Sequence, residues 1–150
     1  MRPYTTADSE KTARIFLEAV RETASRDYNR SQIEAWAHVD PDAWAVKRMG
    51  RPTWIAEVGG EPAGFTDLEP NGHLDMMFVL PRFQRQGVAT ALLDCVLQAA
   101  LEKGMVRVFT EASITARPFF EKRGFAVIAA QTVSARGETL TNYRMEKRLA

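Results

Sequence analysis

The sequence predicts an α/β or α+β fold with one central mixed β-sheet, and three observations carry that prediction. Apolar residues recur at helical spacing through the N-terminal third and again after residue 87. Two pairs of period-two segments are joined by short glycine-containing turns, as antiparallel hairpins require. Between them an apolar strand, a long helix and a further strand follow in order, and that unit needs a parallel strand pair with a right-handed crossover.

After a short extended start, Asp8 or Ser9 caps a helix that places Ile15, Phe16, Ala19 and Val20 on one face. Ser31-Gln32-Ile33-Glu34 has capping-box spacing, in which hydroxyl and carboxylate satisfy the first free amides of a second helix. Asp40-Pro41 supplies an N-cap and a first-turn proline for a third helix, which Gly50 closes. Thr53 to Val58 and Pro62 to Leu68 form a hairpin across Gly59-Gly60. A turn at Pro70-Asn71-Gly72 leads into an apolar strand from His73 to Leu80, stopped by Pro81. From Gly87 the period is helical, with Val88, Ala91, Leu92, Cys95, Val96 and Ala99 as one buried stripe ending at Lys103-Gly104. Met105 to Thr110 is a strand and Pro118 to Arg123 a short helix closed by Gly124. Ala126 to Val133 then pairs with Glu138 to Lys147 across Ala135-Arg136-Gly137.

The 150 residues suit a single domain over 1–150, and a chain of this size buries roughly 70% of its unfolded surface. Hydrophobic residues at 45% and charged residues at 26% argue against long disorder. Twenty Lys and Arg against 19 Asp and Glu leave a net charge of +1, so no basic excess marks a nucleic-acid binder. The single cysteine, Cys95, excludes an internal disulfide framework, fits a reducing compartment and reads as core. With only His38 and His73 beside it, no Cys/His zinc site of usual spacing can form, and no metal is expected. No apolar run follows Met1-Arg2-Pro3-Tyr4, and Met76 to Leu80 and Phe125 to Ala130 are too short to span a bilayer. The expectation is a cytoplasmic protein with no membrane partner, its assembly as a homodimer left open.

The chemistry-bearing segment is Pro81-Arg82-Phe83-Gln84-Arg85-Gln86-Gly87-Val88-Ala89-Thr90-Ala91-Leu92-Leu93. A basic loop opens a helix whose first turn is small, so a ligand can approach amides that lack internal partners and sit at the positive end of the helix dipole. Arg82 and Arg85 add full charges, and the site is built to accept an anion such as a diphosphate. No Gly-Lys-Ser/Thr follows, and the first glycine of a dinucleotide fingerprint is missing. Apolar strand, proline, aromatic, basic turn and Gln84-x-x-Gly87-x-Ala89 in this order resemble motif A of the GNAT N-acetyltransferase superfamily. Arg2 to Asp8 and Phe119-Phe120-Glu121-Lys122-Arg123-Gly124-Phe125 extend the resemblance over nearly the whole chain. Tyr28 with Ala35-Trp36-Ala37, Asp75-Met76, Ala112 to Ala116, and Arg136-Gly137 with Thr141-Asn142-Tyr143 look closer still to the YafP-like bacterial branch.

The resemblance implies a twisted, mostly antiparallel sheet splayed between strands four and five, with a bulge before the loop. It implies acetyl-CoA as donor, with pantetheine along Phe78, Val79 and Leu80 and the diphosphate on the amides from Gln86 through Gly87, Val88, Ala89 and Thr90 to Ala91. Ser113 matches a pantetheine-binding position, and an amide at the bulge near Val79 is the expected oxyanion donor.

An attacking amine must be neutral, so some base takes a proton. His73 and Asp75 alternate to one face of the strand and match positions where relatives carry bases; Asp75 is the first expectation and His73 the second. Glu111 reads as structural or rim. Phe120 stands where many relatives have a general-acid tyrosine, so the thiolate leaves as such or Tyr143 or Tyr28 substitutes. Tyr28, Trp36, His38, Trp44 and Tyr143 furnish the acceptor wall, with a small-molecule amine as the expected acceptor. The rival readings are a non-catalytic acyl-CoA-binding or regulatory module, acetylation of a protein amine, and a nucleotide-binding regulator.

Overall fold

Two antiparallel sheets meet along one short parallel contact. In the computed structural model, which describes residues 1–149, β1 (Arg2–Pro3), β2 (Thr53–Val58), β3 (Glu61–Asp67) and β4 (Met77–Val79) pair in that order. The second sheet comprises β5 (Arg107–Ser113), β6 (Ala126–Ala135) and β7 (Glu138–Arg148), with β7 in the middle. The sheets join where His73 and Phe109 form a parallel bridge. There the Leu74 amide donates to the Phe109 carbonyl at 2.8 Å and the Phe109 amide to the Gly72 carbonyl at 3.0 Å. Beyond that bridge β4 and β5 part, so the central sheet is splayed into a wedge between strands four and five, as expected.

The strand expected from His73 to Leu80 is regular only over Met77–Val79. Asp67 is the reason: its Oδ1 accepts the amides of Asp75 and Met76, both at 2.9 Å, in place of backbone partners on β3. The irregularity therefore lies at residues 75–76 and not at Val79, where the pairings Phe65 with Phe78 and Gly64 with Val79 are in register. At Gly64 a Cβ would stand 2.8 Å from the Phe78 carbonyl, so only glycine admits β4 this closely.

The helices are α1 (Ser9–Glu18), α2 (Arg30–Trp36), α3 (Pro41–Met49), α4 (Val88–Glu102) and α5 (Arg117–Lys122). α1 runs on into a π-turn over Ala19–Thr23 and buries Ile15, Phe16, Ala19 and Val20 as expected. The capping box of α2 is formed by Asn29 and Gln32, two residues ahead of the expected one; Asn29 accepts the Gln32 amide at 2.8 Å, and Glu34 pairs with Arg30. Asp40 caps α3 through the amides of Asp42 and Ala43. The buried face of α4 is Val88, Leu92, Leu93, Val96 and Ala100, so the expected stripe is rotated and Ala91 is exposed.

Ile15, Phe16, Val20, Ile55, Phe65 and Leu80 form one core between α1 and the first sheet. Leu74, Leu93, Val96, Val108, Phe125 and Met145 form a second below α4 and the other sheet. Burial of each such side chain is worth about 1.5–3 kcal/mol, which fixes both walls of the wedge.

Candidate active site

Val79 ends β4, Pro81–Phe83 make one 3-10 turn, and Arg85 takes φ 62°. Gly87 follows at φ 80°, the left-handed geometry glycine tolerates, and a Cβ there would meet nothing within 4 Å. The first bond of α4 runs from the Ala91 amide to the Gly87 carbonyl at 3.0 Å, and no side chain caps this end. The amides of Val88, Ala89 and Thr90 are left without intrahelical acceptors at the positive end of the dipole.

Arg85 is exposed beside them. Arg82 turns away: its guanidinium contacts Glu61, lies 4.0 Å from Glu18 and stacks over Phe83. Gln86 donates to the Arg82 carbonyl. Thr90 Oγ1 accepts from Arg123 Nη2 at 2.7 Å, which brings a second cation to the first turn of α4.

From this helix end a cleft of about 180 Å³ runs between β4 and β5, lined by Phe78, Val79, Gln84, Ala89, Ser113 and Phe120. The Leu80 amide donates to the Ala63 carbonyl on β3 at 2.8 Å. By alternation, Met77 and Val79 turn their backbone groups outward along the open edge. Gln84 Nε2, 3.3 Å from the Val79 carbonyl, bridges loop and strand. Phe120 is buried edge-on between Phe119 and Phe125. The side chains of Leu80 and Val88 are buried in the core, so neither lines the cleft.

A second cavity, about 310 Å³, adjoins the first at Trp36, Phe78 and Ser113. Asp75 and Glu111 line it and also the narrow passage between β4 and β5. Behind the carboxylates lies a charged network. Arg51 Nη1 is 3.0 Å from Asp75 Oδ2 and 2.9 Å from Glu69 Oε1. Arg48, with its side chain fully buried, is 3.0 Å from Asp67 Oδ2 and 3.9 Å from Asp75 Oδ2. The His73 ring stacks on Phe109 at 4.9 Å, with Nε2 2.7 Å from Glu111 and Nδ1 2.8 Å from Glu69. Both partners can only accept while ionised, so the ring donates from both nitrogens. The bond to Glu111 first, and that to Glu69, hold its pKa up at about 9 against the opposing effect of burial.

An open helix end, a cleft between parting strands and a second cavity with carboxylates at the junction are the parts of a group-transfer site. A family model described as Acetyltransferase (GNAT) domain matches residues 24–147. The chain belongs to the GNAT acetyltransferase family. YafP of Escherichia coli (strain K12), named an uncharacterized N-acetyltransferase, is 38% identical over 145 residues, 97% of this chain and 93% of YafP. A GCN5-related N-acetyltransferase from Rhodopseudomonas palustris superposes with a TM-score of 0.96 at 37% identity, covering 99% of this chain and 94% of that one. YncA from Salmonella typhimurium, solved with acetyl-CoA, shares the fold at a TM-score of 0.72 and 22% identity, covering 99% and 92%.

As a GNAT domain the chain is an acyltransferase, and three expectations about its proton transfers change. His73 carries its proton at neutral pH and has both nitrogens engaged, so it is not a free base there. Tyr28 donates its hydroxyl to the Thr141 carbonyl at 2.6 Å and accepts the Ile114 amide at 3.0 Å. Burial pushes its pKa up against the opposing effect of the Ile114 amide, so it is a tether between Ile114, the residue after β5, and β7 and not a proton donor to a leaving group. Tyr143 lies under Arg117 and packs into the second core, on the face of β7 opposite Asn142. Arg82, Leu80, Val88 and Ala91 likewise direct their side chains away from the cleft.

Glu111, expected as structural or rim, is exposed near the end of β5, where it holds the His73 ring and also lines the passage between the strands. Its shared face with Ser113 two residues on was readable from the strand period. Asn142, paired in register with Ser113, faces the second cavity. Arg48, Arg51, Asp67 and Arg123 carried no sequence signal. Glu69, His73 and Asp75 lie close enough to hold a metal ion, but Arg51 already pairs with two of the three. Among the described residues no helix is long and apolar enough to cross a membrane.

Proposed function

We propose that this chain, acting as one domain over residues 1–150, is an acetyl-CoA-dependent N-acetyltransferase that passes the acetyl group directly to an amine in a ternary complex. The observation that carries this reading is the uncapped, glycine-opened start of α4 at the mouth of a cleft that adjoins a cavity lined by Asp75 and Glu111. The donor supplies an activated thioester. The amides from Gln86 to Thr90 bind its diphosphate with Arg85 and Arg123 nearby, the expected Ala91 amide being already bonded to the Gly87 carbonyl, and the outward backbone of Met77 and Val79 holds the pantetheine. Phe120 and Ser113 flank the thioester, and the Val79 amide stabilises the developing oxyanion.

Asp75 takes the proton from the attacking nitrogen, directly or through water, with its Oδ2 fixed by Arg51. The C–N bond forms, the C–S bond breaks, and the sulfur departs as thiolate, since Phe120 has no proton to give. A thiol pKa of about 8.5 makes this tolerable around neutral pH. For an amine that arrives as ammonium, one proton is lost to solvent before attack and the proton taken by Asp75 ends on the thiolate, so the net products are an amide, free CoA thiol and one released proton.

Asp75→Asn is expected to leave CoA affinity nearly unchanged while turnover falls about 100-fold. Equal turnover would remove Asp75 from the chemistry, and tighter binding of ATP or NAD than of CoA would remove the cofactor reading.

A further inference from the structure

The second cavity identifies the acceptor further than "an amine". Its walls are apolar and aromatic: Phe16, Trp36, Phe78 and Leu140. Asp75 and Glu111 line the cavity where it meets the passage to the cleft, and Asn142 pairs in register with Ser113 beside that passage, whereas the Tyr28 hydroxyl is already engaged by Thr141 and Ile114. Asp75, Glu111 and Asn142 all offer acceptors. The ion pairs of Asp75 run through Oδ2 and that of Glu111 through Oε1, leaving the second oxygen of each carboxylate for a ligand. Asn142 Oδ1 is buried with no donor on it, and an unpaired acceptor in such a place costs free energy until a ligand supplies a hydrogen. A primary ammonium brings three donors and one positive charge to this end.

The cavity also excludes. No Lys or Arg lines it, so an acceptor bearing a carboxylate or phosphate would be desolvated without a counter-charge. The far walls hold no acidic group, so the second ammonium of a diamine or polyamine has no partner there. A peptide chain would bring unpaired amides against aromatic rings. At about 310 Å³ the space is at the small end of ligand pockets.

We infer that the acceptor is a compact primary alkylamine carried on an aromatic or branched apolar body, with no second charge. The amine enters as ammonium against Asp75, Glu111 and Asn142, and its body fills the aromatic walls. This rests on the acetyltransfer reading for the reaction, but not for the binding.

The test uses the full chain and 2-phenylethylamine as probe, against L-phenylalanine, which adds only a carboxylate, and 1,4-diaminobutane, which replaces the ring by a second ammonium. Calorimetric titration measures the binding of each amine and of CoA, and thiol release measures turnover. 2-Phenylethylamine is expected to bind, and to exceed both comparators in kcat/KM by ~30-fold or more. Val133→Trp, which fills the cavity from β6, should weaken the amine at least ~10-fold and leave CoA affinity as it was. The wild-type ranking decides the matter even if that variant does not fold. Phenylalanine or diaminobutane equal to or better than the probe, or no probe binding by a protein that binds CoA, overturns the inference while acetyltransfer stands. Probe binding without CoA binding upholds the cavity assignment and overturns acetyltransfer. A protein that binds neither refutes both.

Discussion

Titrating His73 should cost the fold a measurable part of its stability. Its pKa is raised from the ordinary 6.5 to about 9 by Glu111 and Glu69. A group whose folded pKa is raised contributes stability that is complete below pH 6.5, declines between 6.5 and 9, and is gone above 9. The difference of 9 minus 6.5, at ~1.4 kcal/mol per decade, sets a ceiling of about 3 kcal/mol. Glu69 and Glu111 keep 29% and 34% of their side-chain surface in solvent, and screening reduces the measurable effect to about 2 kcal/mol. The assay is urea unfolding of wild type and His73→Gln at pH 6 and pH 9.5. The stability gap between the two proteins should be larger at pH 6 by about 2 kcal/mol; the part due to lost stacking on Phe109 should not change. A gap that is constant across this window, or that widens at high pH, would refute the reading of His73 as an imidazolium clamped by two carboxylates.

Tyr28→Phe leaves the Thr141 carbonyl and the Ile114 amide unpaired, so a loss of about 1–3 kcal/mol is expected in thermal unfolding. Turnover below the melting temperature should stay within a few-fold, because the hydroxyl proton is not used in the reaction. Arg48→Met removes the nearer cation from the fully buried Asp67 carboxylate, leaving Arg51 at 3.6 Å, and should cost about 3–5 kcal/mol, whereas adding Asp67→Asn should recover part of it. Failure of the second change to rescue would show that the pair matters for more than charge compensation.

Local chemistry explains what was legible. Gly59-Gly60, Arg136-Gly137, Asp40-Pro41 and the Gly87 helix start each act within a few residues, and each appears where the sequence puts it. The anion-accepting helix start followed from the loop, whose small residues leave its amides open, while the cleft between β4 and β5 was expected only from the family resemblance. The charged network was not legible because its members come from α3, the end of β3, the loop before β4 and β5, and no spacing links them. Asp67 is the sharpest case. Nothing in Phe65-Thr66-Asp67 says that its carboxylate will replace two ladder bonds and break the following strand at Asp75. The tyrosines misled for a related reason: a hydroxyl's usefulness depends on partners it has already found, and those of Tyr28 lie 86 and 113 residues away.

Amide-resolved NMR of the isotope-labelled chain during a titration with acetyl-CoA probes the diphosphate cradle without any acceptor. The largest shifts should fall on Gly87 to Ala91 and on Met77 and Val79, and should be lost in Gly87→Glu but largely kept in Gly87→Ala, which shares its backbone strain. Shifts confined to other surfaces, or undiminished binding in Gly87→Glu, would contradict the assignment of α4's first turn as the donor site.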